Sequence, residues 1–272
     1  MKRIILTSIL LLSAMLNSNA WEFIQANSGK TNSLGKCSVT LQDFWSVHHN
    51  PAGFASYKDF SFGISYENKF LLKELGTKKA GLLLPTNYGT IGVSFSQFGY
   101  NHYNENIVGL GFARSFGSNL NIGLKFYYLF ILFSDNYEKK SAPTFDVGIQ
   151  YKINESLHIG AYLFNPANVK FSSIHKDKIP IIMRLGLSYF VNDNFLICSE
   201  IEENFNDNFS FRFGLEYEIY KDLFFRSGFQ LMPELLTFGI GYNYKWFIAD
   251  ISAHMNQELG ASLSCSLNFR IN

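Results

Sequence analysis

The sequence predicts an all-β fold: a transmembrane antiparallel up-and-down β-barrel of about 14 strands, with an N-terminal hatch segment. The first observation is the alternation of large apolar residues with small or polar ones, because a period of two places side chains on opposite faces of a strand. The second is segment length: many alternating stretches exceed the ~5–6 residues typical of soluble strands and reach the ~9–11 of a tilted membrane strand. The third is that long and short connections alternate along the chain, which is typical of outer-membrane barrels.

The first 20 residues predict a secretory signal peptide. They read MKRIILTSILLLSAMLNSNA, with a basic start, an apolar run and a small-residue end, and we expect cleavage after Ala20. An uncleaved anchor helix is the less favoured alternative, because Ile4–Leu16 is shorter than the ~20 residues of a membrane span. Without Lys2 and Arg3 the bases and acids nearly balance, which gives no electrostatic case for nucleic-acid binding.

Residues 21–57 do not alternate and are rich in Asn, Ser and Gly. We interpret this stretch as a hatch, which either plugs the barrel lumen or lies beneath it. The barrel itself is assigned to residues 58–272.

Turn signals divide the barrel region into fourteen predicted strands. They are 58–67, 78–86, 88–98, 105–116, 119–131, 142–153, 156–165, 179–191, 194–203, 208–219, 222–232, 235–244, 246–254 and 259–270. The even-numbered connections are tight and the odd-numbered ones mostly longer, although the eleventh, Pro233-Glu234, is short. We therefore expect an outer-membrane location with both termini and the short turns in the periplasm, and the longer loops outside.

A soluble β-sandwich is the alternative fold, because its strands also alternate. The stretch LLTFGIGYNYKWF argues against it: large side chains from Leu236 to Trp246 share one face, and the other face is mainly small. A small-residue face fits a crowded lumen, and a large apolar face suits lipid. Tyr242, Tyr244 and Trp246 are predicted to form an interfacial aromatic girdle.

The sequence holds no recognisable catalytic or metal motif, so we expect neither an enzyme nor a cofactor. Glu202, Glu203 and Asp207 are interpreted as residues of a solvated loop. The adjacent pair His48-His49 chelates poorly and is assigned to a polar plug surface. Three widely spaced cysteines match no metal site, and no pairing among them follows from the sequence. They are Cys37, Cys198 and Cys265.

Five charged residues fall on the predicted lumen face: Arg184, Arg212, Glu216, Glu218 and Arg226. A space-filling network is the favoured interpretation, and a selectivity lining in an open channel is the alternative. Within FYYLFILF, the side chains of Tyr127, Leu129 and Ile131 would also face inward. They either line an apolar path or, as we favour, pack against the hatch.

The motif NPAGFA precedes the first strand. Asn50 is suited to cap a short helix that starts at Pro51, followed by Ala52, and Gly53 permits a close turn. With a signal peptide before the motif and an amphipathic strand after it, the chain resembles the FadL-like outer-membrane superfamily, and within it the PorV/PorQ-type proteins of Bacteroidetes.

That resemblance implies a hatch seated in the lumen. FadL members pass hydrophobic compounds, and PorV-type members serve the type IX secretion system as shuttle or attachment partners for cargo. The sequence therefore favours a non-enzymatic PorV/PorQ-type barrel in protein secretion or surface attachment, contacting outer-membrane lipid and secretion components or cargo. The alternative is a FadL-like passive channel for hydrophobic small molecules.

Overall fold

The structure is a computed structural model, and it describes residues 28–133, 140–171, 179–205, 209–256 and 259–271. The predicted signal peptide and Asp207 lie outside the described residues. Within the described ranges, no helix is long and apolar enough to cross a membrane.

Fourteen antiparallel strands form a closed barrel in which each strand pairs with its neighbours in sequence order. The strands are β1 Phe60–Asn68, β2 Gly76–Thr86, β3 Gly89–Tyr100, β4 Tyr103–Phe116, β5 Leu120–Phe133, β6 Lys140–Lys152, β7 Leu157–Phe164, β8 Ile182–Asn192, β9 Phe195–Asn204, β10 Phe209–Tyr220, β11 Leu223–Leu231, β12 Leu235–Tyr244, β13 Phe247–Asn256 and β14 Gly260–Ile271. β1 pairs with β14, so the sheet closes without an edge. The predicted fold class and strand number are confirmed.

The predicted strand boundaries differ from the observed ones by a few residues. The largest difference at a strand start is in β8, which was expected from residue 179 but begins at Ile182. Pro180 lies in that stretch and has no backbone N–H to donate to a ladder. The hydrophobic alternation continues through Ile179, so the pattern alone could not show where pairing stops.

The six even-numbered connections, each of two to four residues, lie at one end of the barrel, which we call the short-turn end. Phe60 pairs with Ile271 there, so β1 starts and β14 finishes at the same end. The odd-numbered connections lie at the opposite end, called here the long-loop end; those after β1, β5 and β7 are longer, but those after β3, β11 and β13 have only two or three residues, shorter than expected for the third connection. The strand register shifts between Phe190 and Asn192 and between Glu218 and Tyr220, and both shifts adjoin short turns.

The outer surface of the barrel is apolar. On β12 and the turn after it, four large apolar side chains are at least half exposed. They are Leu236 (57%), Phe238 (50%), Ile240 (56%) and Trp246 (53%). Thr237, between them, faces inward and is fully buried. Soluble monomers rarely expose contiguous apolar patches of this kind. We therefore expect this face to contact lipid hydrocarbon.

Aromatic rings cluster on the outer surface at the short-turn end. Tyr242 and Tyr244 stack with centroids 6.3 Å apart, and Tyr244 meets Trp246 at 6.4 Å. Trp246 stacks on Phe269 at 5.7 Å, and Phe269 stacks on Phe62 at 5.0 Å across the β14–β1 seam. Amphipathic rings at the end of an apolar band are typical of a membrane–water interface.

Replacing Ile240 with Arg tests whether this surface meets hydrocarbon. We expect Ile240→Arg, in the middle of β12, to lower the free energy of unfolding by about 2–4 kcal/mol, and Tyr244→Arg, at the strand end, by about 0–1 kcal/mol. Equilibrium unfolding in urea from phospholipid vesicles measures both values. Equal and small effects at the two positions would contradict a lipid-facing surface.

Candidate functional site

The hatch, defined here as residues 28–57, lies inside the barrel lumen. Helix α1, Gly29–Ser33, packs against β11 to β14, and the turn Pro51–Phe54 packs against β3 to β6. A third segment, Phe44–His48, lies against β1 to β3. Leu34, Val47 and other apolar side chains of the hatch are fully buried. The sequence left open whether this segment plugs the lumen or lies beneath it, and in the structure it lies within the lumen.

Glycines on the wall make room for the hatch. Ten of them stand directly opposite one another in five cross-strand pairs: Gly63–Gly81, Gly92–Gly111, Gly123–Gly148, Gly160–Gly186 and Gly214–Gly228. A methyl group added at any of the ten would come within 3.2 Å of a hatch atom. The tightest case is Gly148, where it would lie 1.8 Å from Asn50 Oδ1. The small-residue face of the strands therefore matches the path of the hatch.

The NPAG motif forms a capped turn against β5 and β6. The Oδ1 atom of Asn50 accepts a hydrogen bond from the Ala52 N–H at 3.1 Å, and Pro51 starts a 3₁₀ turn. The Asn50 Nδ2 atom donates to the Val39 carbonyl at 2.6 Å. A Cβ at Gly53 would lie 2.4 Å from the Leu41 carbonyl oxygen. The motif thus joins the turn to the earlier part of the hatch.

A buried four-charge cluster connects the wall to the hatch. The Glu200 carboxylate accepts hydrogen bonds from the N–H groups of Ser38 and Val39, both at 2.7 Å. Arg212 donates to Glu200 at 2.8 Å and to Glu202 at 2.6 Å. Arg184 donates to Glu202 at 2.5 Å. Two acids and two bases are therefore paired, and one acid also binds the hatch backbone.

A second charge cluster lies beneath α1. Arg226 donates to Asp250 at 2.6 Å and also to Glu216. Lys30 of the hatch approaches Glu216 at 3.3 Å and Asp43 at 3.9 Å. Glu218 shares the face of Glu216, but it is half-buried at the short-turn end, where it accepts a hydrogen bond from the Asp222 N–H.

The sequence interpretation of Glu202 is wrong. It was assigned to a solvated loop, whereas the structure buries it at 9% exposure between Arg184 and Arg212. Its neighbour Glu203 is exposed. Strand β9 extends to Asn204, so the alternation that places Glu200 in the lumen also places Glu202 there. That parity was the signal available in the sequence.

A third polar cluster, centred on Asp146, lies on the inner face of β5, β6 and β7. The hydroxyl groups of Tyr127 and Tyr162 donate to Asp146 at 2.5 and 3.0 Å. Lys125 donates to the Val47 carbonyl of the hatch at 2.5 Å and lies 3.9 Å from Asp146. The sequence analysis did not select Lys125 or Asp146, although both lie at inward positions of their strands.

Two histidines and an acid of the hatch lie close together in the lumen, where His49 is buried and His48 and Asp43 are partly buried. Burial lowers the pKa of His48 well below its ordinary value and also lowers that of His49, despite Asp43 at 3.7 Å from His49 Nε2. Burial by itself would raise the pKa of Asp43, but His49 and Lys30 outweigh it and hold that pKa below the usual value. At neutral pH the hatch therefore carries neutral imidazoles and an ionised Asp43. His48 Nε2 lies 3.1 Å from the Ala80 carbonyl oxygen of the wall.

An apolar cluster fills the lumen towards the long-loop end. It consists of Val39, Ile107, Tyr127, Leu129, Ala142, Tyr162, Phe164, Ile179 and Ile182, with Phe98, Val169 and Phe171 packed against it. The predicted inward residues Leu129 and Ile131 are buried at 0% and 6% exposure. Because Val39 of the hatch belongs to the cluster, the favoured packing against the hatch holds for this part of the wall.

Two cavities lie on either side of the hatch. One of about 20 Å³ is lined by His48, Lys79, Ser94, Ser96, Ile107, Tyr127 and Phe164, next to the apolar cluster. The other, of about 90 Å³, lies towards the short-turn end, and its lining includes Lys30, Asp43, Trp45, Glu216, Arg226 and Asp250. The smaller cavity thus has a mixed lining of polar and apolar side chains, whereas several charged side chains line the larger one.

A closed barrel with an apolar outer face and a lumen hatch defines a membrane-spanning β-barrel protein. No protein-family model and no curated protein matches the chain. Among solved structures, it resembles the P. putida toluene transporter TodX at a TM-score of 0.68 and 10% identity, over 92% of this chain and 99% of that chain. For the Ralstonia pickettii toluene transporter TbuX the TM-score is 0.67 at 10% identity, over 91% and 98%.

A Pseudomonas aeruginosa FadL homologue matches with a TM-score of 0.62 at 10% identity, over 90% of this chain and 97% of that chain. At such low identity the likeness concerns the fold, and the chain has the fold of FadL-like outer-membrane barrels. The narrower resemblance to PorV/PorQ-type proteins remains a prediction.

Adding one methyl group to the wall tests the fit of the hatch. We expect Gly148→Ala to destabilise the seated hatch by about 1–3 kcal/mol, because the new Cβ overlaps Asn50 Oδ1. Trypsin reports this: Lys36 is 3% exposed, and cleavage after it should become about tenfold faster or more, whereas cleavage after the exposed Lys58 should not change.

The matched control for this prediction is a double-mutant cycle. Asn50→Ala removes the overlapping atom and should cost about 1 kcal/mol through loss of the cap. In that background Gly148→Ala should have little further effect. An undiminished effect of Gly148→Ala would show that Asn50 is not the group it displaces.

Neutralising Glu200 tests the four-charge cluster. We expect Glu200→Gln to reduce stability by about 3–5 kcal/mol, because it leaves buried arginine charge uncompensated and weakens the acceptor for Ser38 and Val39. Glu203→Gln, three residues away but exposed, should change it by less than about 0.5 kcal/mol. Urea unfolding in detergent compares them, and similar midpoints for the two variants would contradict the assignment.

Proposed function

We propose that this protein is a non-enzymatic outer-membrane barrel that admits hydrophobic small molecules from its long-loop end, with the hatch as the closure. The apolar cluster carries the proposal. Wall residues such as Leu129 and Phe164 turn apolar side chains into the lumen near its long-loop end, in one cluster with Val39 of the hatch. This cluster offers an apolar solute that enters from the long-loop end a surface for dispersion contacts.

The structural neighbours support the same class of solute. TodX and TbuX are toluene transporters, and a third neighbour is a FadL homologue. Toluene is small and apolar, so it matches a site that offers dispersion contacts and few polar groups. We infer the solute class for this chain from the combination of fold and lining.

The proposed orientation places both ends of the barrel chain in the periplasm. β1 begins and β14 ends at the short-turn end, and short turns face the periplasm in outer-membrane barrels. The long-loop end and the apolar cluster then face the outside of the cell. Outer-membrane lipid covers the apolar outer surface.

Uptake into vesicles tests the proposed function. Purified protein in liposomes should accelerate entry of radiolabelled toluene over protein-free liposomes. Leu129→Asn places an amide in the apolar cluster and should reduce the protein-dependent rate about tenfold. Tyr128→Asn changes the adjacent side chain, which is 51% exposed on the outer surface, and should leave the rate unchanged.

A lack of protein-dependent entry, with the barrel shown to be folded by heat-modifiable gel migration, would refute the channel. Equal losses in the Leu129→Asn and Tyr128→Asn variants would place the effect outside the lumen.

A role in type IX secretion or surface attachment is the second candidate. One observation favours it: the long-loop end exposes large apolar side chains that a partner protein could cover, at Leu71, Leu72, Phe205, Met232 and Leu259. Affinity purification from outer membranes, comparing wild type with Leu71→Asp/Leu72→Asp, tests this role. Recovery of secretion components or cargo with the wild type alone supports it, and equal recovery with both refutes docking at this surface.

A further inference from the structure

Two of the three cysteines meet inside the lumen. Cys37 belongs to the hatch and Cys198 to β9, 161 residues further along the chain. Both are 1% exposed. The Cys37 Sγ atom lies 3.8 Å from the Cys198 carbonyl oxygen, and both side chains belong to one buried apolar cluster. The third, Cys265, lies on the outer surface, where it is exposed.

The surroundings leave room for the pair and little else. A Cβ at Gly214 would lie 2.9 Å from Cys198 Sγ, so glycine is needed beside this thiol. Leu34, Leu41 and Leu196 enclose both cysteines in a small apolar cluster. The Cys198 thiol donates only a weak hydrogen bond to the Gly214 carbonyl, at 3.5 Å. Neither thiol therefore has a strong contact that bonding to the other would break.

We propose that Cys37 and Cys198 form a disulfide that attaches the hatch covalently to the barrel wall. In the reaction, one thiolate attacks the disulfide of a periplasmic dithiol oxidant, and the second cysteine then displaces that oxidant. One S–S bond forms in this protein, one is reduced in the oxidant, and two electrons and two protons pass to the oxidant's thiols. Exchange takes place as the hatch docks, before burial closes off the pair.

The compartment favours the bond. A chain that is exported and folds outside the cytoplasm meets oxidising conditions, in which juxtaposed cysteines form and keep disulfides. The inference rests on the proposed location but on neither proposed solute nor secretion role. The bond lies next to Ser38 and Val39, whose N–H groups bind Glu200. It would therefore reinforce the part of the hatch that the charge cluster already holds.

Thiol counting and peptide mapping test the proposal. The protein is prepared from outer membranes of a Gram-negative host, denatured without reductant and treated with a maleimide. We expect one adduct, at Cys265, and three adducts after reduction. Non-reducing trypsin digestion should yield peptide 37–58 linked to peptide 185–212, since cleavage follows Lys36, Lys58, Arg184 and Arg212.

The variants separate this pair from other linkages. Cys265→Ser should give no adduct before reduction and keep the linked peptides, whereas Cys37→Ser should give two adducts and lose them. Reduction of the wild type should also speed tryptic cleavage after Lys36 in the folded barrel about tenfold. Three adducts in the unreduced protein, or linkage of either cysteine to Cys265, would overturn the proposal. Gel migration and toluene entry are measured separately, so failure of the proposed function is distinguishable from failure of the disulfide.

Discussion

The hatch packs so closely against the inner face of the barrel wall that both cannot carry full side chains at the same place. The rest of the structure depends on this close packing. Along much of its path the hatch lies so close to the wall that a methyl group on the strand would not fit, as at Gly123 beside Pro51. The wall has glycine at these positions. Glycine weakens a strand, because it has no side chain to pack and because it loses more conformational freedom on folding than other residues. What replaces them is hatch backbone and side chain in close-packed contact. The two surfaces are therefore complementary, and a larger side chain at one of these wall positions requires the hatch to move.

Burial makes the polar contacts between hatch and wall selective. A charge without a partner in such a lumen is expensive, so the acids and bases must arrive in matched sets. Glu200 satisfies this requirement by accepting from Arg212 and from two backbone N–H groups of the hatch at once. Two consecutive N–H groups of the hatch converge on one carboxylate oxygen, which fixes the position of this segment against β9. The charge clusters therefore define one register for the hatch, whereas the apolar contacts alone would tolerate several.

The strands were predictable because the alternation of side chains and the length of each alternating stretch depend only on residues close together in the sequence. Alternation located all fourteen strands, and it failed at their ends, where Pro180 stops the pairing of β8 without breaking the pattern. The partners inside the lumen were not predictable in this way. That Gly148 faces Asn50, or that Cys198 faces Cys37, depends on the path of an irregular segment through the barrel. Glu202 lies between these two cases. The alternation along β9 predicts that its side chain faces the lumen, but its nearness to a predicted turn led to the wrong assignment to a loop.

The two register shifts in the wall both adjoin short turns, and the remaining described strand pairings run without interruption round the cylinder. A hydrogen-bonded tube of this kind resists local widening, because separating two strands means breaking a whole row of bonds in a medium that cannot replace them. The lumen is filled by hatch residues 28–57, which belong to no strand, so a substitution there can change how the lumen is filled without breaking a row of hydrogen bonds in the wall.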